Sequence, residues 1–255
     1  MSVVRFAGGL GNQMFQYAFG KKLMLHGCDV VFEMNWYKPD RSRTRPFVLD
    51  KFHTKVKKGS FSQSCPMIRE GRSSVIGKYK GYNFSGYWQN PKYYEGTLPI
   101  LKKEFCVKEE FYTDEFLKLR EEISNCNAVA VHVRRGDFMN CDFYTMTMDY
   151  YSKAIEFITV VKKVDRIYVF SDDMEWCKEN FKDVTFVSSV NYLDLELMKH
   201  CKHFIIQGNS SFSLWPIYLN DNPERMVILP SKSRLRADDH SLYENKGFPE
   251  DWLKL

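Results

Sequence analysis

The second half of the chain alternates short apolar runs with longer segments in which apolar residues recur every three or four positions. The short runs predict buried strands at Val129–Val133, Arg166–Phe170, Val184–Val187, His203–Ile206 and Met226–Leu229. The longer segments predict helices from about Thr147, within 174–181, around Asp194–Cys201 and around Phe212–Asn220. Strands and helices that alternate at these lengths indicate a parallel sheet with helices on both faces.

The first half begins with the same alternation and then loses it. Val3–Phe6 predicts a strand, a glycine-rich turn follows, Asn12–Leu25 predicts a helix and Val30–Glu33 predicts a second strand. Residues 35–105 are rich in aromatic residues, glycine, proline, serine and lysine, so we expect short helices and irregular loops over a core there. A further helix is predicted from Thr113, its cap, to Ser124.

These patterns predict an α/β fold of two Rossmann-like lobes, each built on a parallel sheet. We place the N-terminal lobe at residues 1–124 and the C-terminal lobe at residues 125–255. The chain has 255 residues, of which 44% are hydrophobic, and this is enough to bury a core in each lobe.

Charge and cysteine content narrow the class of protein. The net charge of +5 is too small for a dedicated nucleic-acid-binding protein, and it favours an anionic small molecule or loose contact with an anionic membrane surface. The seven cysteines include no C-x-x-C pair, so we expect reduced thiols. No apolar run approaches the length of a transmembrane helix. We therefore expect a cytoplasmic protein and leave open peripheral contact with the inner face of the membrane.

The strand that opens the C-terminal lobe ends in charged residues, in the run AVAVHVRRGDF. Side chains alternate along a strand, so His132 and Arg134 share one face and Arg135 lies on the other. Ligands of open parallel sheets bind beyond the carboxyl ends of the strands, and arginine holds phosphate through a rigid fork of donors. We therefore predict that the two arginines bind an anion. Gly136 would allow a close turn there, and Asp137 would orient an arginine. A surface ion pair is the alternative.

Two other predicted strands also end in polar residues. The run VFSDD places Asp172 and Asp173 after one strand, and IIQGNSSFS places Asn209, Ser210 and Ser211 just before a helix. Backbone N–H groups at a helix start attract anions, but the same residue types also cap helices. Both interpretations stay open for these residues.

Asp194 has the helical phase of apolar residues. It falls in register with Leu197, Met198 and Cys201, which form the predicted inward stripe. A carboxylate that faces inward needs a donor to pair with, and the N1–H and N2–H₂ groups of guanine would suit it. The alternative is that the phase of this helix is misjudged.

The glycine-rich turn of the N-terminal lobe leaves a different function open. Gly9 and Gly11 fit the start of a G-x-G-x-x-G dinucleotide fingerprint, but Met14 stands where the third glycine belongs. Glu33 ends the next strand about where a ribose-binding acid would lie. An NAD-linked oxidoreductase is therefore one alternative. The sequence holds no D-x-D pair, no Walker lysine motif and no cluster of His or Cys, so we predict no metal site.

Five motifs together resemble glycosyltransferase family 11, the α-1,2-fucosyltransferases. They are GGLGNQMFQYAFG, HVRRGDF, FSDDMEWCKENF, DLELMKHCKHFIIQGNSSFS and the terminal PEDWLKL. They occur in order along nearly the whole chain, and the resemblance is weakest between residues 35 and 105. The H-x-R-R-G-D element alone is shared more widely among fucosyltransferases and indicates GDP-fucose, whereas the N-terminal motif narrows the resemblance to this family.

The resemblance implies a two-lobed fold of the GT-B type, with the nucleotide bound by the C-terminal lobe. It implies metal-independent, inverting transfer of L-fucose from GDP-β-L-fucose to the 2-hydroxyl of a terminal galactose. The expected partners are therefore GDP-fucose and a galactose-terminated glycan, either lipid-linked or free, with no metal or other cofactor. The oligomeric state is not indicated.

The resemblance also implies roles for residues. Arg134 would hold the β-phosphate, His132 would meet the guanine or ribose, and the three aspartates at 172, 173 and 194 would hold the nucleoside. The predicted ligand residues are His132, Arg134, Arg135, Gly136, Asp137, Asp172, Asp173, Asp194, Asn209, Ser210, Ser211 and Phe212, with Gly11, Asn12 and Gln13 reaching from the first lobe. The predicted catalytic residues are Arg134, Asp142 and Asn12.

The general base and the acceptor side are less fully specified. Asp137 lies beside two arginines, which favour its charged form and make it a poor proton acceptor, so Asp142 is the candidate base. The run IIQGNSSFSLWPIYL is one residue longer than the usual approach to this motif. It has Leu214 in place of the first of two paired tryptophans and Pro216 after Trp215. A non-catalytic relative that binds GDP or a glycan is therefore a second alternative.

Overall fold

The computed structural model describes residues 1–38, 45–71, 80–140, 145–231 and 247–255. The chain divides into two compact units, Met1–Phe111 and Tyr112–Leu255. Each unit contains a parallel sheet with helices, so the predicted α/β class is confirmed. Within the described residues, none of the helices combines the length and the hydrophobicity that crossing a membrane requires.

The first unit is built on five short parallel strands. They are β1 (Ser2–Arg5), β2 (Val30–Glu33), β3 (Lys58–Gly59), β4 (Met67–Arg69) and β5 (Asn83–Ser85). Their spatial order is β3-β2-β1-β5-β4, so the order reverses between β1 and β5. The α-helices described in this unit are α1 (Leu10–Leu25) and α2 (Leu98–Glu104).

Helix α1 is enclosed by aromatic side chains of the first unit. Tyr17 stacks on Phe32 with ring centroids 5.6 Å apart, and Phe19 stacks on Trp88 at 4.1 Å. A Cβ atom at Gly20 would lie 2.5 Å from the ring of Phe32, so a glycine is needed where α1 approaches β2. These aromatic residues are therefore part of the core, as expected, whereas Tyr87 of the same unit is 49% exposed.

The second unit has a larger sheet of six parallel strands. They are β6 (Ala128–Val133), β7 (Arg166–Ser171), β8 (Thr185–Val187), β9 (His203–Ile205), β10 (Val227–Leu229) and β11 (Leu253–Lys254). Their order is β11-β10-β9-β6-β7-β8, and β6 is buried along its whole length. The α-helices described here are α3 (Asp114–Ser124), α4 (Met148–Lys162), α5 (Met174–Asn180), α6 (Asn191–His200) and α7 (Ser211–Leu219).

Helix α3 lies with the second unit, although the sequence pattern placed it at the end of the first lobe. Thr113 caps it as predicted, because its Oγ1 accepts a hydrogen bond of 3.1 Å from the N–H of Phe116. Phe116 and Ile123 are buried, and the helix packs against α6. The compact units divide after Phe111, and the lobe boundary at 124/125 stays a prediction.

The sequence did not predict β3, β4, β5 or β11. Each of these strands has only two or three residues, and each lacks the apolar-rich run that marked the equally short β8, β9 and β10. The expectation of short helices between 35 and 105 is confirmed by α2 and by 3-10 turns at Asn35–Tyr37, Leu49–Lys51 and Pro91–Tyr93. The strands β3, β4 and β5 also lie in this region, beside the irregular loops that were expected.

Candidate functional site

The polar strand ends of the second unit meet where its strand order reverses. Strand β6 is flanked by β7 on one side and by β9 on the other. Ligands of such sheets bind at this point, beyond the carboxyl ends of the strands. Residues 134–137 follow β6, Asp172 follows β7 and residues 207–211 follow β9, so these predicted groups lie at one edge of the sheet.

Arg134 lies at the centre of this edge and is held by carboxylates at both ends of its guanidinium. Its Nη1 donates to Oδ2 of Asp172, and its Nη2 donates to Oδ1 of Asp137. The guanidinium carbon lies 5.2 Å from the ring centroid of Phe138. Only 13% of the Arg134 side chain is exposed. A cation in this position is fixed in orientation before any ligand arrives.

Arg135 points to a different set of partners. Its Nε donates to Oδ2 of Asp173 at 3.1 Å, and its guanidinium carbon lies 4.1 Å above the ring of Trp176. Asp173 also caps α5, because its Oδ1 accepts from the N–H of Trp176 at 3.2 Å. Of the two interpretations left open for Asp173, helix capping is the one the structure describes. Trp176 lies in a quoted motif, but its stacking on Arg135 had no signal in the sequence.

His132 is buried on the face of β6 that looks toward α7. Burial and the charge of Arg134 lower the pKa of His132 to about 3, so its ring is neutral near pH 7. The ring lies 5.3 Å from that of Phe212, in the first turn of α7. Its Nδ1 has no hydrogen-bond partner within the described ranges. A buried ring nitrogen without a partner is costly unless a bound group or water satisfies it.

The start of α7 presents backbone N–H groups to the same edge of the sheet. Ser210 stands at the cap position, and its side chain makes no capping hydrogen bond in the part of the chain that the structure describes. Ser211 begins the helix, and Asn209 lies buried just before it. Ser213 donates to the carbonyl of Ser210 at 3.0 Å, which fixes the turn. The first N–H groups of such a helix favour an anion.

Gln207 belongs to this site and was not predicted. Its Oε1 accepts the backbone N–H of Arg134, so the orientation of its amide is fixed. The residue is fully buried, and its Nε2 has no partner among the described residues. Strand β9 therefore holds the backbone of Arg134 while Asp172 holds its side chain. The extra residue in the run IIQGNSS was the one feature of the sequence that could have drawn attention to this position.

Asp194 occupies the first turn of α6, in the next crossover after β8. Its Oδ1 accepts hydrogen bonds from the N–H of Ser189 at 3.2 Å and from its hydroxyl at 2.6 Å. Burial raises the pKa of Asp194 to about 6, although these hydrogen bonds act to lower it. The structure leaves the carboxylate partly buried, and within the described residues it accepts its hydrogen bonds from Ser189.

A more deeply buried acid of the same helix was missed. Glu196 is 3% exposed, and its Oε1 lies 2.5 Å from Nζ of Lys199 and 3.6 Å from Nε2 of His200. Burial acts to raise the pKa of Glu196, but the two partners outweigh it and hold the pKa below its ordinary value. Spacings of three and four residues could have revealed this cluster. It is a structural ion pair of the helix.

The predicted residues of the first unit lie in the first turn of α1. Asn12 is partly exposed, and its Oδ1 accepts from Nε2 of Gln89 at 2.9 Å. Gln13 is fully buried. Its side-chain Nε2 donates to the carbonyls of Gly8 and Pro46 at 3.2 and 2.9 Å, and its Oε1 accepts from the N–H of Val48 at 2.9 Å. Gln13 therefore supports a loop of its own unit and offers no free group to a ligand.

Gly11 and Glu33, two residues of the dinucleotide alternative, are also buried. The carboxylate of Glu33 accepts from Nε of Arg5 and from the N–H of Asn35, both at 2.8 Å. Both of its oxygens thus have partners inside the unit. A ribose-binding acid would need an oxygen directed at a ligand, so the structure argues against the NAD alternative.

Asp142 lies outside the described residues, and its role as a base stays a prediction. The substituted run after the serines is described. Leu214, Trp215 and Pro216 are buried inside the second unit, so these departures from the family pattern belong to its core. In the part of the chain that is described, no group of three or more His, Cys, Asp or Glu side chains could hold a metal ion.

The chain matches the family model for glycosyl transferase family 11 over residues 68–254. It is 29% identical to an alpha-1,2-colitosyltransferase of Escherichia coli, over 99% of this chain and 98% of that protein. It is 27% identical to the O-antigen biosynthesis glycosyltransferase WbnK of Escherichia coli, over 89% of this chain and 92% of that protein. The galactoside 2-alpha-L-fucosyltransferase Sec1 of Mus musculus is 25% identical over 100% of this chain and 74% of that protein.

Two solved structures resemble this chain over most of its length. The NodZ alpha-1,6-fucosyltransferase soaked with GDP-fucose matches with a TM-score of 0.53 and 13% identity, over 86% of this chain and 92% of that one. POFUT1 in complex with GDP matches with a TM-score of 0.53 and 12% identity, over 89% and 97% of the two chains. At such low sequence identity, structural similarity is evidence of the fold alone, and it confirms the predicted GT-B type.

Proposed function

The chain belongs to glycosyltransferase family 11, and we propose that it transfers L-fucose from GDP-β-L-fucose to the 2-hydroxyl of a terminal galactose. The transfer inverts the configuration at the fucose carbon and needs no metal ion. The diphosphate would bind at the edge of the second sheet where its strand order reverses. The observation that carries this proposal is the fixed, mostly buried guanidinium of Arg134 at that edge.

The site supports catalysis through charge. Breaking the fucose–phosphate bond leaves negative charge on the departing GDP. Arg134 and the first N–H groups of α7 supply positive charge where that phosphate would lie, and groups held in place stabilise such charge without reorganising. This is the role that a bound divalent cation would otherwise fill, which is why we propose metal independence. Removing one such donor raises the activation free energy by about 3 kcal/mol.

The nucleoside would lie beside His132 and Asp194. A neutral His132 can hydrogen-bond a ribose or base group without adding charge, and Asp194 in its ionised form can accept from guanine N–H groups. Asp172 and Asp173 are placed differently, because their carboxylates are bonded to the arginines and backbone of the site. Asp142 stays the predicted base, and full activity of an Asp142→Asn variant would remove it from that role.

The donor sugar has a second candidate. The E. coli relative that covers nearly the whole chain is named a colitosyltransferase, so colitose could replace fucose on the same nucleotide. The acceptor in either case would be a glycan with a terminal galactose, lipid-linked or free, met in the cytoplasm or at the inner face of the membrane. Asn12, partly exposed in the first unit, stays the predicted contact to the sugar.

A transfer assay tests the proposal. The purified chain is incubated in EDTA with a galactose-terminated oligosaccharide and with GDP-fucose, GDP-colitose or UDP-galactose. We expect a product from one GDP-sugar, with the new linkage at the 2-hydroxyl by NMR. GDP binding without any transfer would support the non-catalytic alternative, and dependence on added Mg²⁺ or Mn²⁺ would contradict the metal-independent mechanism.

A further inference from the structure

Asp172 bonds to three consecutive residues of the loop after β6. Its Oδ1 accepts from the N–H of Arg135 at 2.9 Å and from the N–H of Gly136 at 3.3 Å, while its Oδ2 accepts from Nη1 of Arg134. Both oxygens are therefore engaged by the protein itself. A carboxylate used in this way is poorly suited to the nucleoside contact that the family resemblance implied.

The register of the sheet creates this arrangement. Val133 pairs with Ser171 at the last position of β6 and β7, so Arg134 and Asp172 are the next residues of two neighbouring parallel strands. The contact therefore follows from the pairing of the strands and does not depend on a long loop.

Gly136 is the position that allows the carboxylate to approach. A Cβ atom there would lie 2.4 Å from Oδ2 of Asp172, closer than real Cβ atoms come to their neighbours, and 3.0 Å from its Cγ. The glycine of the R-R-G-D run is thus needed for space beside Asp172, rather than for contact with a phosphate.

Asp137 differs from Asp172 in its exposure. Its side chain is 51% exposed and it pairs with Arg134 from three residues along the same loop, whereas Asp172 is 27% exposed and comes from the neighbouring strand. Solvent weakens the more exposed pair. The contact from Asp172 is therefore the one that keeps the guanidinium in place when an incoming anion competes for its outer side.

We propose that Asp172 is a positioning residue that acts through Arg134, and that Gly136 is small because Asp172 occupies the space of its side chain. This inference rests on the proposed function, since Arg134 is the group whose orientation it explains. Asp172→Asn keeps an oxygen for the two N–H groups but loses the charge that pairs with Arg134. Asp172→Ala loses both.

A double-mutant cycle tests the proposal. The rate of GDP release from GDP-fucose at saturation is measured for Asp172→Asn, Arg134→Ala and the double variant. We expect Asp172→Asn to lower kcat by about tenfold to a hundredfold with a smaller change in KM, and to add less than about threefold in the Arg134→Ala background. An equal loss in both backgrounds would overturn the proposal, because it would mean that Asp172 acts on the nucleotide directly.

Two further variants serve as a control and as a second test of the proposal. Asp165→Asn is the matched control, since the Oδ2 of Asp165 accepts a backbone N–H at 2.7 Å at the opposite end of β7. It should leave kcat unchanged. Gly136→Ala should reproduce the Asp172 effect, because the added methyl displaces the carboxylate. Wild-type kcat in Gly136→Ala would contradict the proposed role of this glycine.

Amide hydrogen exchange in the free protein separates this proposal from the proposed function. We expect the N–H groups of Arg135 and Gly136 to exchange at least about tenfold faster in Asp172→Ala than in the wild type or in Asp165→Asn. Faster exchange without any binding of GDP would refute the proposed function and support the positioning role of Asp172. Unchanged exchange would refute the positioning role of Asp172, whether or not GDP binds.

Discussion

The two units of the chain have similar parallel sheets but use the ends of their strands differently. In the first unit, Gln16 joins the N–H of Ala7 after β1 to the carbonyl of Gly86 after β5, at 2.9 and 3.0 Å. Gln13 is engaged in the same way. In the second unit, the corresponding place holds an arginine braced by acids. A glycine-rich turn after a first strand therefore indicates a ligand site only where polar groups remain for a ligand.

The largest effect expected from this comparison is that of Arg134→Ala. Removing the fixed cation should lower turnover by about a hundredfold to a thousandfold, because the charge that develops on the leaving phosphate is no longer stabilised. Single-turnover release of GDP measures it. The matched control is Arg166→Ala, which removes an arginine paired with Glu122 at the opposite edge of the same sheet. Normal turnover of Arg134→Ala, or an equal loss in the control, would break the assignment.

In the first unit, the expected effect of losing a strand-end polar residue is on stability. Gln13→Leu removes three hydrogen bonds of a buried amide, and we expect the free energy of unfolding to fall by about 2–4 kcal/mol. Urea denaturation measures it. Gln63→Leu, at an exposed position of the same unit, should change it by less than about 0.5 kcal/mol. A stable Gln13→Leu variant with weakened nucleotide binding would reverse the roles of the two units.

A smaller effect should appear in the pH dependence of GDP binding. The pKa of Asp194 is raised to about 6 by burial, so in the free protein its carboxylate loses charge as the pH falls through 6. If the ionised form accepts from guanine, binding should weaken by about tenfold at pH 5 relative to pH 7. Isothermal titration calorimetry measures GDP binding to the wild type and to Asp194→Asn at each pH. The difference between the two proteins removes the contribution of the nucleotide's own protonation. Identical pH profiles for both proteins would exclude the guanine contact.

The smallest predicted effect concerns the boundary between the units. Thr113→Ala removes the cap of α3 and should cost about 1 kcal/mol. Because α3 packs against α6, amide exchange should show the loss in the second unit and leave β1 and β2 of the first unit protected as before. Thr113→Ser, which keeps the hydroxyl, serves as the control. A loss of protection confined to the first unit would return α3 to the first lobe.

Much of the second unit could be predicted from the sequence, because its long elements carry clear periodicity. The strand before Arg134 and the cap at Thr113 were both read from local patterns that the structure describes. The strands β3, β4, β5 and β11 were missed, because two or three residues carry no period and these strands lack the apolar-rich runs that marked β8, β9 and β10. Their pairing comes from tertiary contacts: β5 pairs with β1, β3 with β2, β4 with β5 and β11 with β10.

The partners within the site were harder to predict than its location. The position of Arg134 follows from the rule for strand ends, whereas its partners depend on which strands become neighbours. Gln207 and Asp172 reach Arg134 because β9 and β7 flank β6, and no local pattern encodes that order. The family resemblance implied a nucleoside contact for Asp172, whereas the local sequence left capping and ligand contact both open, because it does not show which groups lie beside the carboxylate.

The most direct test of the central claim is a thermal-shift comparison in EDTA of the wild type and Arg134→Ala, with GDP, GDP-fucose, UDP, ADP and NAD. A ligand at a hundredfold excess over its Kd adds about 2.7 kcal/mol of stability, which raises Tm by roughly 5–10 °C for a chain of this size. We predict such a rise for the wild type with GDP and GDP-fucose alone, and its loss in Arg134→Ala. A rise with NAD alone, or with none of these ligands, would contradict a guanosine diphosphate site at the edge of the second sheet.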